Sequence, residues 1–124
     1  MTKINPNFNH INMKGEGLQL LCDYFKQNKN KKLKELKLIG CNLNDDDFNI
    51  LIKNIIESEI EITTFNATYN QIGDNSFKII FEMIKKIKGI KNIFLYNNLF
   101  SRGFKDKMKN YDRDNALYNV RLYL

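Results

Sequence analysis

The side chains best suited to chemistry are few in this sequence and lie far apart. One histidine, His10, and two cysteines, Cys22 and Cys41, do not supply the four ligands that a structural zinc site takes. The sequence register places no Ser or Cys nucleophile beside His10. An acid–base pair and a phosphate-binding glycine loop are also missing from the pattern. The sequence therefore predicts a protein that is not an enzyme and that uses no cofactor and no metal.

The acidic run Asp45–Asp47 is a further candidate for a chemical role. It lacks the spaced ligands and the closing Glu of a calcium-binding loop. Acids in the first turn of a helix complement the helix dipole, and Asn44 before them is a favourable N-cap residue. The run therefore predicts the start of a helix.

Length and composition favour one intracellular domain spanning residues 1–124. Hydrophobic residues make up 43% of the chain, which is enough to build a core. No apolar run approaches the ~18 residues of a membrane span, and the first residues lack the layout of a signal peptide. Cys22 and Cys41 lie among apolar neighbours, which predicts reduced thiols in the core. The expected location is the cytoplasm.

The net charge of +6 permits binding to nucleic acid or to another acidic surface. The chain has 17 Lys but only 3 Arg, and Arg is the residue that makes bidentate contacts with bases and phosphates. Asn, Lys and Ile together account for 52 of the 124 residues, a usage typical of AT-rich genomes. Lysine clusters fall near predicted helix ends, where cations are favourable. Nucleic acid is therefore the second choice of partner.

An eleven-residue pattern recurs along the chain. It is clearest at 33–43, "LKELKLIGCNL", and returns at 62–72, "ITTFNATYNQI", and at 90–100, "IKNIFLYNNLF". A partial copy begins at 117, and a weaker one begins at 1 with Met1, Ile4, Pro6, Asn9 and Ile11. The starts are separated by 32, 29, 28 and 27 residues, a regularity that indicates structural repeats.

The segments between the copies change to a helical period. Apolar residues recur three or four positions apart in 16–27, 45–56 and 74–87, and more weakly in 102–111. The predicted buried faces are Leu18, Leu21, Cys22 and Phe25; Phe48, Leu51, Ile52 and Ile55; and Phe77, Ile80, Phe81 and Ile84. Each copy therefore predicts a short strand, a turn and a helix.

The pattern LxxLxLxx(N/C)xL with this period resembles the ribonuclease-inhibitor type of leucine-rich repeat. The resemblance implies an α/β fold, a right-handed solenoid with a parallel sheet on its concave face and helices on its convex face. It also implies a structural ladder of side chains where the chain leaves each strand, here Asn9, Cys41, Asn70 and Asn98. Neither end shows a polar cap, so self-association through the ends is a further expectation.

The concave face is the expected binding surface, and its C-terminal half is rich in aromatic residues. Tyr and Arg often anchor protein interfaces, so we expect a non-catalytic interaction or scaffold module that binds another protein. The expected partner-binding residues are Lys37, Ile39, Asn66, Thr68, Tyr69, Phe94, Tyr96, Arg121 and Tyr123.

Alternatives remain at the level of the sequence. They are a basic nucleic-acid or acidic-surface binder, a structural subunit of a larger assembly and, more remotely, a tropomodulin-like actin regulator or a RanGAP-like GTPase regulator. Arg102 is the nearest candidate for the loop arginine of a GTPase regulator, but no motif connects it with that role.

Overall fold

Strands and helices alternate along the chain in a computed structural model that describes residues 7–115 and 119–124. A short 3₁₀ turn, Asp74–Ser76, precedes the third helix. The elements in order are α1 Glu16–Gln27, β1 Lys32–Lys37, α2 Asp45–Glu57, β2 Glu61–Asn66, α3 Phe77–Lys86, β3 Asn92–Phe94, α4 Arg102–Asn115 and β4 Arg121–Tyr123.

The four strands form one parallel sheet in the order β1-β2-β3-β4. Each strand is joined to the next by a helix, and neighbouring helices pack side by side, α1 against α2 and α2 against α3. Strand residues such as Leu36, Phe65 and Ile93 are fully buried and pack into one core with the helices. Residues that alternate with them point away from this core, because successive side chains of a strand point to opposite faces. We call this second surface of the sheet the outer face.

The strand register corrects the predicted positions of the first and last copies by two residues. Asn7 pairs with Lys37, whereas a copy starting at 1 would align it with Ile39. Arg121 pairs with Asn92, whereas a copy starting at 117 would align it with Phe94. A shift of two residues keeps every side chain on its own face, so the alternation of strand faces does not distinguish the two registers.

The corrected register is more regular than the predicted one. Successive units are offset by 30, 29, 28 and 29 residues, as given by the pairs Asn7–Lys37, Glu35–Thr64, Thr64–Asn92 and Asn92–Arg121. The predicted positions Met1, Ile4, Pro6 and Leu117 lie outside the described residues.

The helix predictions are confirmed for α1 and α2, whose buried residues are those expected. The predicted face of α3 is partly wrong, because Ile79 and Met83 are buried with Ile80 and Ile84 while the two phenylalanines are only partly buried. The ring centroids of Phe77 and Phe81 are 4.8 Å apart, and the Phe77 centroid lies 5.9 Å from that of Phe104 in α4. The phenylalanines therefore cover the side of α3 that faces the next helix, which a single-helix pattern does not reveal.

The thiol predictions are confirmed: Cys22 and Cys41 are both free and buried. Burial raises the pKa of both thiols above the ordinary value of 9.0. Within the described parts of the chain, no helix is long and apolar enough to cross a membrane.

Candidate functional site

Two buried or half-buried asparagines connect the ends of neighbouring strands. The Oδ1 atom of Asn70 accepts hydrogen bonds from the backbone N–H groups of Cys41 and Leu43, both at 3.0 Å. Its Nδ2 atom donates to the carbonyl oxygens of Leu38 and Ala67, both at 2.9 Å. An amide suits this place because it both donates and accepts, so it satisfies backbone groups that the short strands leave unpaired.

Asn98 repeats this arrangement one unit later. Its Oδ1 atom accepts from the N–H of Ile72 at 3.0 Å, and its Nδ2 atom donates to the carbonyl of Ala67 at 3.0 Å and of Leu95 at 3.1 Å. The two asparagines therefore bridge β1 to β2 and β2 to β3.

Cys41 occupies the equivalent place one unit earlier. Its thiol donates to the carbonyl of Phe8 at 3.0 Å, a bond to the preceding unit like the bond from Asn70 to Leu38. Burial raises the pKa of this thiol, and backbone hydrogen bonds from Ile11 and His10 act in the opposite direction. Cys41 is therefore a small buried group that, like the amides, donates a hydrogen bond to the preceding unit.

Asn9 does not belong to the ladder formed by Cys41, Asn70 and Asn98, which corrects the prediction for the first copy. In the corrected register the corresponding residue is Ile11, which is 48% exposed. Asn9 lies beside Ile39 instead, and its Oδ1 atom accepts from the Ile39 N–H at 2.9 Å. The repeat pattern favoured a start at residue 1 because Met1, Ile4, Asn9 and Ile11 fit its positions there, whereas the observed register puts Ile11 where the pattern expects Asn or Cys.

A second set of contacts, made by carboxylates, joins the turns before the helices. Asp45 accepts hydrogen bonds from the N–H of Gly73 at 2.8 Å and from the hydroxyl of Ser76. One unit later, Asp74 accepts from the N–H and the hydroxyl of Ser101, at 2.9 and 2.6 Å. The acidic run therefore does more than begin α2, because Asp45 ties it to the next unit. The spacing of Asp45 and Asp74, 29 residues, is the sequence signal for these contacts.

The outer face changes in character from β1 to β4. Lys37 forms an ion pair with Glu35 at 3.6 Å on β1, beside the half-buried Ile39. On the β2 side, the Oδ1 atom of Asn66 accepts from both the N–H and the hydroxyl of Thr68, at 3.1 and 2.6 Å. These polar groups therefore pair with one another within the chain.

The C-terminal half of the outer face carries a cluster of rings, which we call the aromatic patch: Tyr69, Phe94, Tyr96 and Tyr123. Phe94 and Tyr123 stack face to face, with centroids 4.4 Å apart and planes inclined by 8°. Tyr96 lies 6.4 Å from Phe94 and 6.0 Å from Tyr123. Tyr69 adjoins Tyr96, because its backbone N–H donates to the Tyr96 carbonyl at 3.0 Å.

The exposure of the aromatic patch distinguishes it from the core. Tyr69 is 62% exposed and Tyr96 is 44% exposed, although bulky aromatic side chains are normally well buried. The ring of Tyr123 lies in the column of Phe94 instead of the predicted column of Tyr96, and this register correction is what produces the stack. The rings of Phe94, Tyr96 and Tyr123 therefore lie together on one half of the outer face, and the exposed Tyr69 is joined to Tyr96 through the backbone.

Three exposed apolar residues were missed by the sequence reasoning. They are Leu20 of α1, Ile50 of α2 and Leu99 in the turn after β3, at 68%, 48% and 66% exposure. Leu20 and Ile50 fall outside the predicted buried stripes of their helices, which is the signal that could have shown them. Leu20 and Ile50 lie on the helical layer, away from the aromatic patch.

A groove of about 460 Å³ lies between α2 and α3 and mixes acids such as Asp46 and Glu82 with Lys53 and Lys78. Among the described residues, no group of three or more His, Cys, Asp or Glu side chains is placed to hold a metal ion. Arg102, the loop arginine considered above, is an exposed residue at the start of α4.

Comparison with protein-family models finds no match, and comparison with curated proteins finds no relative.

Proposed function

We propose that this protein is a leucine-rich-repeat module of the ribonuclease-inhibitor type that binds another protein through the outer face of its sheet. The observation that carries the binding proposal is the aromatic patch, where the stacked rings of Phe94 and Tyr123 lie beside the exposed Tyr96. Tyrosine combines a large apolar area with a polar tip and little conformational freedom, which suits it to anchoring an interface.

The repeat assignment is supported by three regularities in the structure. Parallel strands recur every 28 to 30 residues, each joined to the next by a helix. Buried residues occupy the same strand positions in successive units, such as Leu36, Phe65 and Ile93. Asn70 and Asn98 make the same kind of backbone contacts in consecutive units. Repeats that contact only their neighbours present a continuous face, which favours recognition of an extended surface.

The test is to replace Phe94 and Tyr96 together by alanine. We expect partner binding to fall at least tenfold, because anchor residues at an interface centre each contribute about 2 kcal/mol or more. Phe94 is half-buried and stacked, so we also expect the free energy of unfolding to fall by about 1–2 kcal/mol. Affinity for a purified partner, measured by calorimetry, and a urea unfolding curve check the two effects separately.

The matched control is the pair Leu20→Ala and Ile50→Ala, which removes exposed apolar side chains from the helical layer. The single change Tyr96→Ala leaves the Phe94–Tyr123 stack in place and shows whether any loss of binding is a loss of folding. Equal affinity for the wild type and the Phe94→Ala, Tyr96→Ala variant would overturn the proposed surface.

A further inference from the structure

Charged side chains on the outer face differ in whether they have an ion-pair partner. On β1, Glu35 and Lys37 neutralise each other at 3.6 Å. The next outward residues are uncharged, since β2 presents Thr64 and Asn66 and β3 presents Asn92 and Phe94. A formal charge returns at Arg121 on β4, an exposed residue opposite Asn92. Among the side chains described at residues 7–110 and 119–124, no carboxylate forms an ion pair with this guanidinium group.

Arg121 lies next to the aromatic patch. It precedes Tyr123 by two residues on the same strand, so both side chains lie on the same face of the sheet. Tyr123 in turn stacks on Phe94 at 4.4 Å. Arg121 therefore lies two strand positions from the stacked rings and on the same face of the sheet.

We infer that the partner presents a short acidic and apolar segment, in which a carboxylate binds Arg121 while a neighbouring aromatic or aliphatic side chain lies on the aromatic patch. This inference rests on the proposed function and specifies the chemistry of its partner. The planar guanidinium group donates two parallel hydrogen bonds to a carboxylate, a geometry that gives specificity as well as energy.

The number of cations favours a carboxylate over a nucleic acid. A nucleic acid carries a phosphate at every nucleotide, and proteins bind it with several basic side chains along the backbone. On the outer face of the described strands, Lys37 is already paired with Glu35 and only Arg121 is left for a ligand. One guanidinium group beside apolar rings matches a single acid flanked by apolar side chains.

The experiment is a selection from a library of random peptides of about 12 residues displayed on phage, a length that can cross the four strands in extended form. The baits are the purified wild-type chain, the Arg121→Glu variant and the Phe94→Ala, Tyr96→Ala variant. We expect the wild type to enrich peptides that carry Asp or Glu within two residues of an aromatic or aliphatic residue. The Arg121→Glu variant should enrich Lys or Arg at that place instead.

Affinity measurements then test the selected peptides. A fluorescein-labelled acidic peptide should lose about tenfold in affinity when Arg121 is replaced by Gln, as expected for a hydrogen-bonded charge. Arg121→Lys should recover only part of this loss, because an ammonium group cannot make the two parallel bonds.

The outcomes separate this inference from the proposed function. Enriched peptides that require Phe94 and Tyr96 but show no preference for acids would overturn the inference and leave the proposed function standing. Peptides that bind the wild type and the Phe94→Ala, Tyr96→Ala variant equally would overturn both. Acidic peptides that lose affinity on Arg121→Gln and on loss of the rings would support both.

Discussion

At the scale of single residues, Asn70 is the side chain on which neighbouring units most depend. It is 5% exposed, and its amide bonds to backbone groups just after β1 and just after β2. Asn70→Ala would leave the N–H groups of Cys41 and Leu43 buried without a partner. Each unsatisfied buried group costs about 1–3 kcal/mol, so we expect the free energy of unfolding to fall by about 3 kcal/mol. Chemical denaturation monitored by circular dichroism measures this change.

Asn110→Ala is the control for that substitution. Asn110 is exposed within α4, where alanine has the higher helix propensity, so we expect a change of about 0.5 kcal/mol or less. If Asn70→Ala lowered the free energy of unfolding no more than Asn110→Ala, the ladder of side chains would not be what holds the strand ends together.

The structural ladder also shows what sequence can reveal about a single residue. The eleven-residue pattern placed Cys41, Asn70 and Asn98 in equivalent positions because three complete copies fix the register. It placed Asn9 there wrongly, since alternation alone cannot distinguish two registers that differ by two residues. The pairing of Asn7 with Lys37, a contact between distant parts of the chain, decides the matter.

At the scale of the elements, the start of α2 is secured twice. Asn44 and Asp47 form a capping box, in which each side chain accepts from the other residue's backbone N–H, at 2.9 and 3.2 Å. Asp45 then reaches forward to Gly73 and Ser76 in the turn before α3. The cap holds the helix, and the forward contact fixes the helix relative to its neighbour.

Asp45→Ala should therefore cost more than the loss of an ordinary acid from a helix start. We expect the free energy of unfolding to fall by about 2 kcal/mol, because the Gly73 N–H and the Ser76 hydroxyl lose their acceptor. Asp46→Ala is the matched control, an exposed acid in the same turn that should cost about 0.5 kcal/mol. Thermal unfolding of both variants measures the difference. An equal loss of free energy of unfolding in the two variants would show that Asp45 stabilises the fold only through the helix dipole.

The order and type of the elements could be predicted from the sequence, whereas the register between neighbouring strands and the packing between neighbouring helices could not. The helical periods gave the bounds of α1 exactly as observed and those of α2 to within one residue. The weakest pattern, at 102–111, is a helix that extends to Asn115. The stack of Phe94 on Tyr123 depends on the register between β3 and β4, and the burial of Ile79 depends on the neighbouring helices, so a one-dimensional pattern contains neither.

At the scale of the whole molecule, the positive charge is partly matched by acids. In the part of the chain that the structure describes, Lys14, Lys37, Lys86 and Lys88 each form an ion pair with a carboxylate. The pair between Lys88 and Glu59 joins the turns of successive units at 3.2 Å. Some of the lysines therefore support the stacking of units, although exposed pairs of this kind contribute only modestly.

The net charge of +6 still predicts weak, non-specific binding to nucleic acid, and this binding should not involve the aromatic patch. We expect an oligouridine of about 20 nucleotides to bind in about 20 mM salt and to be released at about 150 mM. With about four phosphate contacts, the logarithm of the binding constant should fall with the logarithm of the salt concentration with a slope of about −3. Fluorescence anisotropy across a salt series measures the slope, and the Phe94→Ala, Tyr96→Ala variant should give the same curve as the wild type. Oligouridine binding that survives at 150 mM and disappears in that variant would mean that the rings stack on bases, and nucleic acid would then replace protein as the ligand of the outer face.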